Sequence, residues 1–368
     1  MLDLTPRASS GKQYYANSSG AARYFLFTTG SRRLVQCGRT WRRSFLKRAL
    51  PWVTFAYSRP FWWFVAAIAA AGLYLTMRQW SEEQKLTGAA NAVFDYFGWS
   101  AAMTGDTLLV GAPHDGGGYT SGSVYVFVRS GGAWAVQQKL APTEPSTGDW
   151  FGFWLAAAGD VAVIGAPYDE ATAGEVGAAY VFTRAGGTWS QRQKLVASDP
   201  QPLAYFGSAV ALSGDTVLVQ AYDDQESGSV YAFVRSGDTW VEQQKLTAPQ
   251  PAPGELFGYP SAVDGDTALV GASGDDEAAP DAGAVYVFER SGGVWTQVQK
   301  LLASDAAAGD AFSWPALAGE TALVGAPGAD GGAGAVYAFE RVNGVWVERQ
   351  RITAGDPLPD AYFGTVWM

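Results

Sequence analysis

A recurring tryptophan constrains this 368-residue chain more than any other feature. Trp80, Trp134, Trp189, Trp240, Trp295 and Trp346 follow one another at steps of 54, 55, 51, 55 and 51 residues. Four residues after each Trp stands a short motif: Gln84-Lys85-Leu86, Gln138-Lys139-Leu140, Gln193-Lys194-Leu195, Gln244-Lys245-Leu246, Gln299-Lys300-Leu301 and Gln350-Arg351-Ile352. A second series keeps the same steps: Phe97-Gly98, Phe151-Gly152, Phe206-Gly207, Phe257-Gly258, Phe312-Ser313 and Phe363-Gly364. A third is Gly111-Ala112-Pro113, Gly165-Ala166-Pro167, Gln220-Ala221-Tyr222, Gly271-Ala272-Ser273 and Gly325-Ala326-Pro327. Three motifs in one register make the body a tandem array, and a period near 50 residues restricts it to repeat architectures.

Each unit reads as four short strands. In 206–246, Ser208 to Leu212, the β-branched run Thr216 to Ala221, the alternating run Ser229 to Arg235 and Thr239 to Leu246 are separated by Ser213-Gly214-Asp215, a polar loop and Ser236-Gly237-Asp238. Gly and Asp in tight connections are hairpin chemistry, because Gly tolerates positive φ and Asp bonds its own backbone. A four-stranded unit repeated in tandem predicts an all-β fold, a β-propeller. A single twisted sheet leaves both faces wet, and stacked blades dry each other. The repeated Trp and Phe are expected to fill the wedges between blades. The boundaries predicted are residues 79–368 for the propeller, with complete repeats at 97–140, 151–195, 206–246, 257–301 and 312–352 and a trailing partial repeat at 363–368.

Phe-Gly followed by Gly-Ala-Pro in each unit resembles the FG-GAP repeat, the blade of the integrin α-subunit propeller. The resemblance covers about residues 80–368 and implies a binding or adhesion role, although one propeller fold hosts many activities. Trp80 to Leu86 reads as an outermost strand and Phe363 to Met368 as an innermost one, with five complete units between. A six-blade ring would lack two strands and the seven-blade integrin-type ring six, so the array reads as cut short. Many blades of the family hold calcium in an Asp-x-Asp-x-Asp-Gly loop between the first two strands, since calcium takes several oxygens at short spacing. Here those positions hold only Thr104-Gly105-Asp106, Ala158-Gly159-Asp160, Ser213-Gly214-Asp215, Asp264-Gly265-Asp266 and Ala318-Gly319-Glu320. The loop is shortened in every unit, and neither a metal nor another cofactor is expected.

Charge divides the chain. Residues 1–60 hold 11 Lys and Arg against the single acid Asp3, a net of +10, which leaves −20 for the rest. Nucleic-acid binding is one reading of such a run, but the residues that follow favour another. Phe61 to Met77 carries no charge, is long enough at ~1.5 Å per residue to approach the thickness of a bilayer, and has aromatic residues at both ends. Residues 61–78 are therefore expected to be a transmembrane signal anchor, with the basic, largely disordered 1–60 in the cytoplasm and the propeller outside. A cleaved signal peptide, for which Ala69-Ala70-Ala71 supplies small residues, and a buried core helix are the alternatives.

Cys37 and His114 are the only Cys and His. A disulfide framework, Cys- or His-rich zinc sites and most Ser-His-Asp arrangements are thereby excluded. In the integrin-like fold the loops after Gly-Ala-Pro and before Phe-Gly share the ligand side. They carry the candidate ligand face: His114, Asp115, Asp149, Trp150, Tyr168, Asp169, Tyr222, Asp223, Asp224, Glu255, Asp275, Asp276, Asp310 and Asp330, with Trp154 and Tyr259 nearby. This acidic, aromatic rim suits a cationic partner or a sugar, or else simply keeps the body soluble. The function expected is a non-enzymatic, extracytoplasmic binding or adhesion module for a protein or carbohydrate, monomeric and without nucleic acid. A propeller enzyme of the quinoprotein kind, a substrate-docking domain of a larger secreted enzyme and a purely structural repeat are the alternatives.

Overall fold

The computed structural model describes residues 84–88, 94–116, 120–170 and 176–365, together with the backbone of two short paired strands, Tyr24–Phe25 and Gln36–Cys37. The membrane segment expected at 61–77, and almost all of the basic head, lie outside the described residues. Among the described residues no helix is long and apolar enough to cross a membrane.

Five four-stranded antiparallel sheets follow one another along the chain, each with its strands in sequence order. Blade I is Ala101–Thr104, Thr107–Ala112, Ser123–Ser130 and Ala133–Leu140. Blade II is Leu155–Ala158, Val161–Ala166, Ala178–Ala185 and Thr188–Leu195. Blade III is Phe206–Ser213, Thr216–Ala221, Ser229–Ser236 and Thr239–Leu246. Blade IV is Phe257–Asp264, Thr267–Ala272, Ala284–Ser291 and Val294–Leu301. Blade V is Trp314–Ala318, Thr321–Ala326, Ala335–Val342 and Val345–Thr353. The first strands of successive blades lie against one another, and the Gly of each first turn takes positive φ, as at Gly159 (57°) and Gly214 (54°). Two segments read as strands carry no strand pairing where they are described: 84–88 on one side of the array and 363–365 on the other.

The cores lie between blades rather than within them. One cluster joins Leu109, Val124, Val126 and Leu140 of blade I to Phe151, Tyr180, Phe182 and Trp189, which belong to blade II. Equivalent clusters join II to III, III to IV and IV to V. The second strands are buried almost end to end because both of their faces meet a neighbour, as expected of strands covered on two sides.

The repeated motifs now acquire separate tasks. In each Gln-Lys-Leu the Leu enters the core between blades, as Leu140, Leu195, Leu246 and Leu301 do. The Gln turns to the next blade and grips the main chain of its Trp from both sides. Gln244 Nε2 donates to the Trp295 carbonyl at 2.9 Å while its Oε1 accepts from the Trp295 N–H at 2.8 Å. The same pair forms between Gln84 and Trp134, Gln138 and Trp189, Gln193 and Trp240, and Gln299 and Trp346. A β-bulge just before the Gln, between Gln191 and Gln193 in blade II, bends the outer strand there, the local re-aiming that bulges provide.

The Phe-Gly and Gly-Ala-Pro motifs meet across the same seams. Phe206 N–H donates to the Val176 carbonyl of the preceding blade at 2.9 Å, and its ring sits edge-on to Tyr231 and Phe233. Gly165 lies so close to the Gly207 backbone that a Cβ would overlap the Gly207 carbonyl oxygen, and Gly207 itself has φ of 92°. Where the two main chains approach this closely, glycine is the residue that meets the demand. Blade III places Gln220 where the other blades have Gly, and there the side chain of Gln220 reaches the space beside Gly258.

Candidate functional site

The Lys of each Gln-Lys-Leu stays within its own blade and closes a buried polar cluster with the predicted loop acids. Lys194 Nζ lies 2.7 Å from Asp169, which also accepts from the Tyr180 hydroxyl, and the ammonium sits over the Tyr180 ring. Asp115 is bound by Ser123 and Lys139, Asp224 by Ser229 and Lys245, and Asp275 by Tyr286 and Lys300. Burial first, and then the carboxylate beside them, push the hydroxyls of Tyr180, Tyr231 and Tyr286 well above the ordinary tyrosine range. Blade V has Ala329 at the equivalent loop position, and Asp305 bonds Tyr337 and Arg351 instead.

The acids before Phe-Gly hold their own loops. Asp149 accepts from the Ser146 N–H at 2.7 Å, Glu255 from Ala252 at 3.0 Å and Asp310 from Ala307 at 2.9 Å. Asp149 is 1% exposed, and its Oδ1 has no hydrogen-bond partner among the described residues. Burial, joined by the charges of Asp169 and Glu170, pushes its carboxyl up to about 6, against the opposing Ser146 N–H and Lys194.

The structure thus divides the predicted ligand face. Asp115, Asp149, Asp169, Asp224, Glu255, Asp275 and Asp310 are buried and engaged within the fold. Asp223, Asp276 and Asp330 are exposed, although Asp330 is bonded by Arg351. At the calcium-loop positions Asp160 and Asp266 pair with Arg184 and Arg290 at 2.7 Å, and Asp264 accepts from the Gly319 N–H at 2.8 Å. Among the described residues no three His, Cys, Asp or Glu side chains group as metal ligands would.

The aromatic members, by contrast, come together at the surface. His114, Trp150, Tyr168 and Tyr222 are all half-buried, and they belong to a longer run of touching rings. Tyr96 meets His114 at 4.7 Å between centroids, His114 meets Trp150 at 4.6 Å and Trp150 meets Tyr168 at 4.4 Å. The run continues through Tyr205 and Tyr222 to Tyr259. Tyr259 packs on Trp314 and Trp154, which brings blades II, IV and V together. Phe153 ties Trp99 to Trp150 on the other side. Tyr96, Trp99, Phe153, Tyr205 and Trp314 were outside the predicted set. They stand immediately before Phe-Gly or just after it, a position where an aromatic recurs in several units, and that recurrence was the available signal.

The residue before Phe has positive φ in all six places: Tyr96, Trp150, Tyr205, Leu256, Ala311 and Tyr362, at 49° to 57°. This left-handed turn is uncommon for non-glycine residues. At five of the six the following N–H, that of Phe151, Phe206, Phe257, Phe312 or Phe363, bonds a carbonyl of the preceding blade. The side chain at the turn is left free to differ from blade to blade.

Four-stranded antiparallel blades that follow one another and pack on each other through inter-blade cores define a β-propeller. The FG-GAP repeat model matches residues 80–127, 134–182, 189–233, 240–288 and 295–339, and the chain belongs to this family. No curated protein matches it. Among solved structures, the chain is similar to a candidate 6-phosphogluconolactonase from Bacteroides uniformis at 11% identity, covering 70% of this chain and 72% of that one with a TM-score of 0.47. A candidate 6-phosphogluconolactonase from Bacteroides fragilis matches at 13% identity over 68% and 69%, TM-score 0.47. The periplasmic gluconolactonase of Pseudomonas aeruginosa matches at 17% identity over 70% and 86%, TM-score 0.38.

Proposed function

We propose that this protein is a non-enzymatic binding module whose ligand face is the aromatic belt, and that its ligand is an uncharged carbohydrate. The observation that carries this reading is the uninterrupted run of touching rings from the exposed Tyr96 through half-buried His114, Trp150, Tyr168, Tyr205, Tyr222 and Tyr259 to Trp314 across the array. A pyranose presents a flat patch of slightly positive C–H groups, which suits the negative face of an aromatic ring. Rigid rings also offer contact area at low conformational cost. The acids beneath the belt are engaged with Lys, Tyr and backbone groups, so they support the rings rather than offer charge to a cationic partner. Residues 61–77, read as a membrane anchor, would hold the belt on the outer side of a membrane, where such ligands are met.

Affinity electrophoresis through gels containing neutral polysaccharides tests the proposal. The unaltered protein is expected to be retarded by at least one of them, and Trp150→Ala with Tyr222→Ala is expected to migrate freely while keeping its far-ultraviolet circular dichroism. Equal retardation of the folded double variant, or none of the unaltered protein across the panel, would overturn the carbohydrate reading.

A further inference from the structure

The aromatic belt does not run straight. Tyr96 and His114 stand on the loops of blade I, Trp150 and Tyr168 on those of blade II, Tyr205 and Tyr222 on those of blade III, with Tyr259 from blade IV and Trp314 from blade V. Each ring touches the next at 4.4 to 6.4 Å between centroids, a step close to the length of one sugar unit. The far end then returns to a blade the run has already passed. Trp314 stacks on Trp154 of blade II at 6.5 Å and 27°. Trp154 follows directly on Phe153, whose ring touches Trp150 at 5.9 Å. Between Trp150 and Trp154 the chain spans at most about 14 Å even when fully extended. Ring by ring, the same journey from Trp150 to Trp314 passes through Tyr168, Tyr205, Tyr222 and Tyr259. The belt is therefore an arc that bends back toward blade II, the shape imposed by blades set around a common axis.

The arc is also fixed. Its inner members each touch a ring on either side, and the turns that carry Trp150 and Tyr205 are tied to the preceding blade by the next N–H, that of Phe151 at 2.8 Å and Phe206 at 2.9 Å. It cannot straighten to suit a ligand, so the ligand must bend to suit it. A ribbon-like chain of the cellulose or mannan kind, whose successive units face alternate ways, lies along one limb and leaves the other untouched. A chain of the amylose or laminarin kind turns each unit the same way, coils, and sets one unit after another on successive rings. Every ring face adds its own contact, and linked contacts multiply only where the geometry lets them engage together.

We propose, resting on the carbohydrate reading above, that the curvature of the belt selects neutral glucans that coil over neutral polysaccharides that run straight, and that a single chain follows the arc from Tyr96 on blade I round to Tyr222 on blade III. Selection then lies in the placing of the rings by successive blades, and each ring by itself is indifferent to linkage.

Affinity electrophoresis through gels of soluble starch, laminarin, hydroxyethylcellulose and galactomannan reads this selection. The first two carry the two coiling linkages and the last two the straight one. Half-maximal retardation is expected in starch, laminarin or both at a concentration about tenfold or more below that needed in either straight chain. Tyr96→Ala and Tyr222→Ala, made singly, are each expected to weaken that retardation about twofold to tenfold, because one chain rests on both rings, while the far-ultraviolet circular dichroism is unchanged. Retardation by neither starch nor laminarin, or equal retardation by the straight chains, overturns the inference, and so does a loss confined to one of the two single variants. In each of those cases the carbohydrate reading stands as long as any polysaccharide of the panel retards the unaltered protein. If none does, both fall.

Discussion

The seams between blades and the belt at one end of them are built by opposite rules. Along a seam the same residues recur in the same places: Gln on Trp main chain, Gly against Gly, Phe against Tyr and Phe. Along the belt the backbone recurs and the side chains do not. The left-handed turn before Phe carries Tyr, Trp, Tyr, Leu, Ala and Tyr in order. The residue two after Gly-Ala-Pro's Ala is His114, Tyr168, Asp223, Gly274 and Gly328. At these two positions blades I and II carry rings at both, blade III at one, and blades IV and V at neither. A seam has little latitude, because each group answers to a neighbour packed at close range; Gln220 and Ser313 are its departures from glycine. The belt positions lie in loops, where packing demands are looser, so a rigid scaffold can carry variable chemistry there. The family model itself follows the seam: its matched segment 134–182 runs from the outer strand of blade I to the third strand of blade II, much the same stretch that builds one inter-blade core.

The contrast can be broken most severely at the glycines. Gly165→Ala puts a methyl group on the Gly207 carbonyl oxygen of the next blade. Unfolding in urea is expected to show a loss of about 3 kcal/mol or more, or no folded protein, since two main chains must separate. Trp189→Ala empties a site 2% exposed between blades I and II and is expected to cost about 3–5 kcal/mol by the same measurement.

Gln244→Ala leaves both main-chain groups of Trp295 without the partners they have now. A loss of about 1–3 kcal/mol is expected. Belt substitutions sharpen the comparison from the other side. Tyr222→Ala, at a half-buried position in contact with Tyr205 and Tyr259, is expected to change stability by less than about 1 kcal/mol. A belt variant as destabilising as the latch variant would mean that the rings are core after all.

The smallest effect is one of pH. The carboxyl of Asp149 is raised from its ordinary value to about 6, by burial first and then by Asp169 and Glu170. A raised folded-state value favours the protonated form, so the contribution of this group to stability is full below pH 4 and is lost as the pH climbs through 6. Asp149→Asn removes that titration. The unaltered protein is expected to lose stability relative to the variant between pH 4 and 6, and then to run parallel. Parallel curves across the whole range would show that the carboxyl titrates alike in the folded and unfolded chains.

Most of the architecture is legible in the sequence. The spacing of Trp and Phe-Gly marked five units, and Gly-Asp turns between alternating runs placed the strands of 206–246 within a residue or two of where they lie. The site was legible only in part. Aromatic residues near Phe-Gly could be read as neighbours because the repeat places them at one end of every blade. The loop acids read as a charged rim because short acidic stretches among glycines look solvated. What hides them is a Tyr on the third strand and a Lys on the fourth, and the sequence shows neither pointing back at the loop.

Sequence alone therefore determined the unit, its count and its strand order, since these follow from local periodicity and turn chemistry. Tertiary structure alone decided what the repeated Gln does, which acids are buried and which rings touch. Many of those facts join groups far apart in the chain, from 25 residues for Lys194 and Asp169 to 160 for Trp154 and Trp314, and no local pattern encodes a distance of that kind.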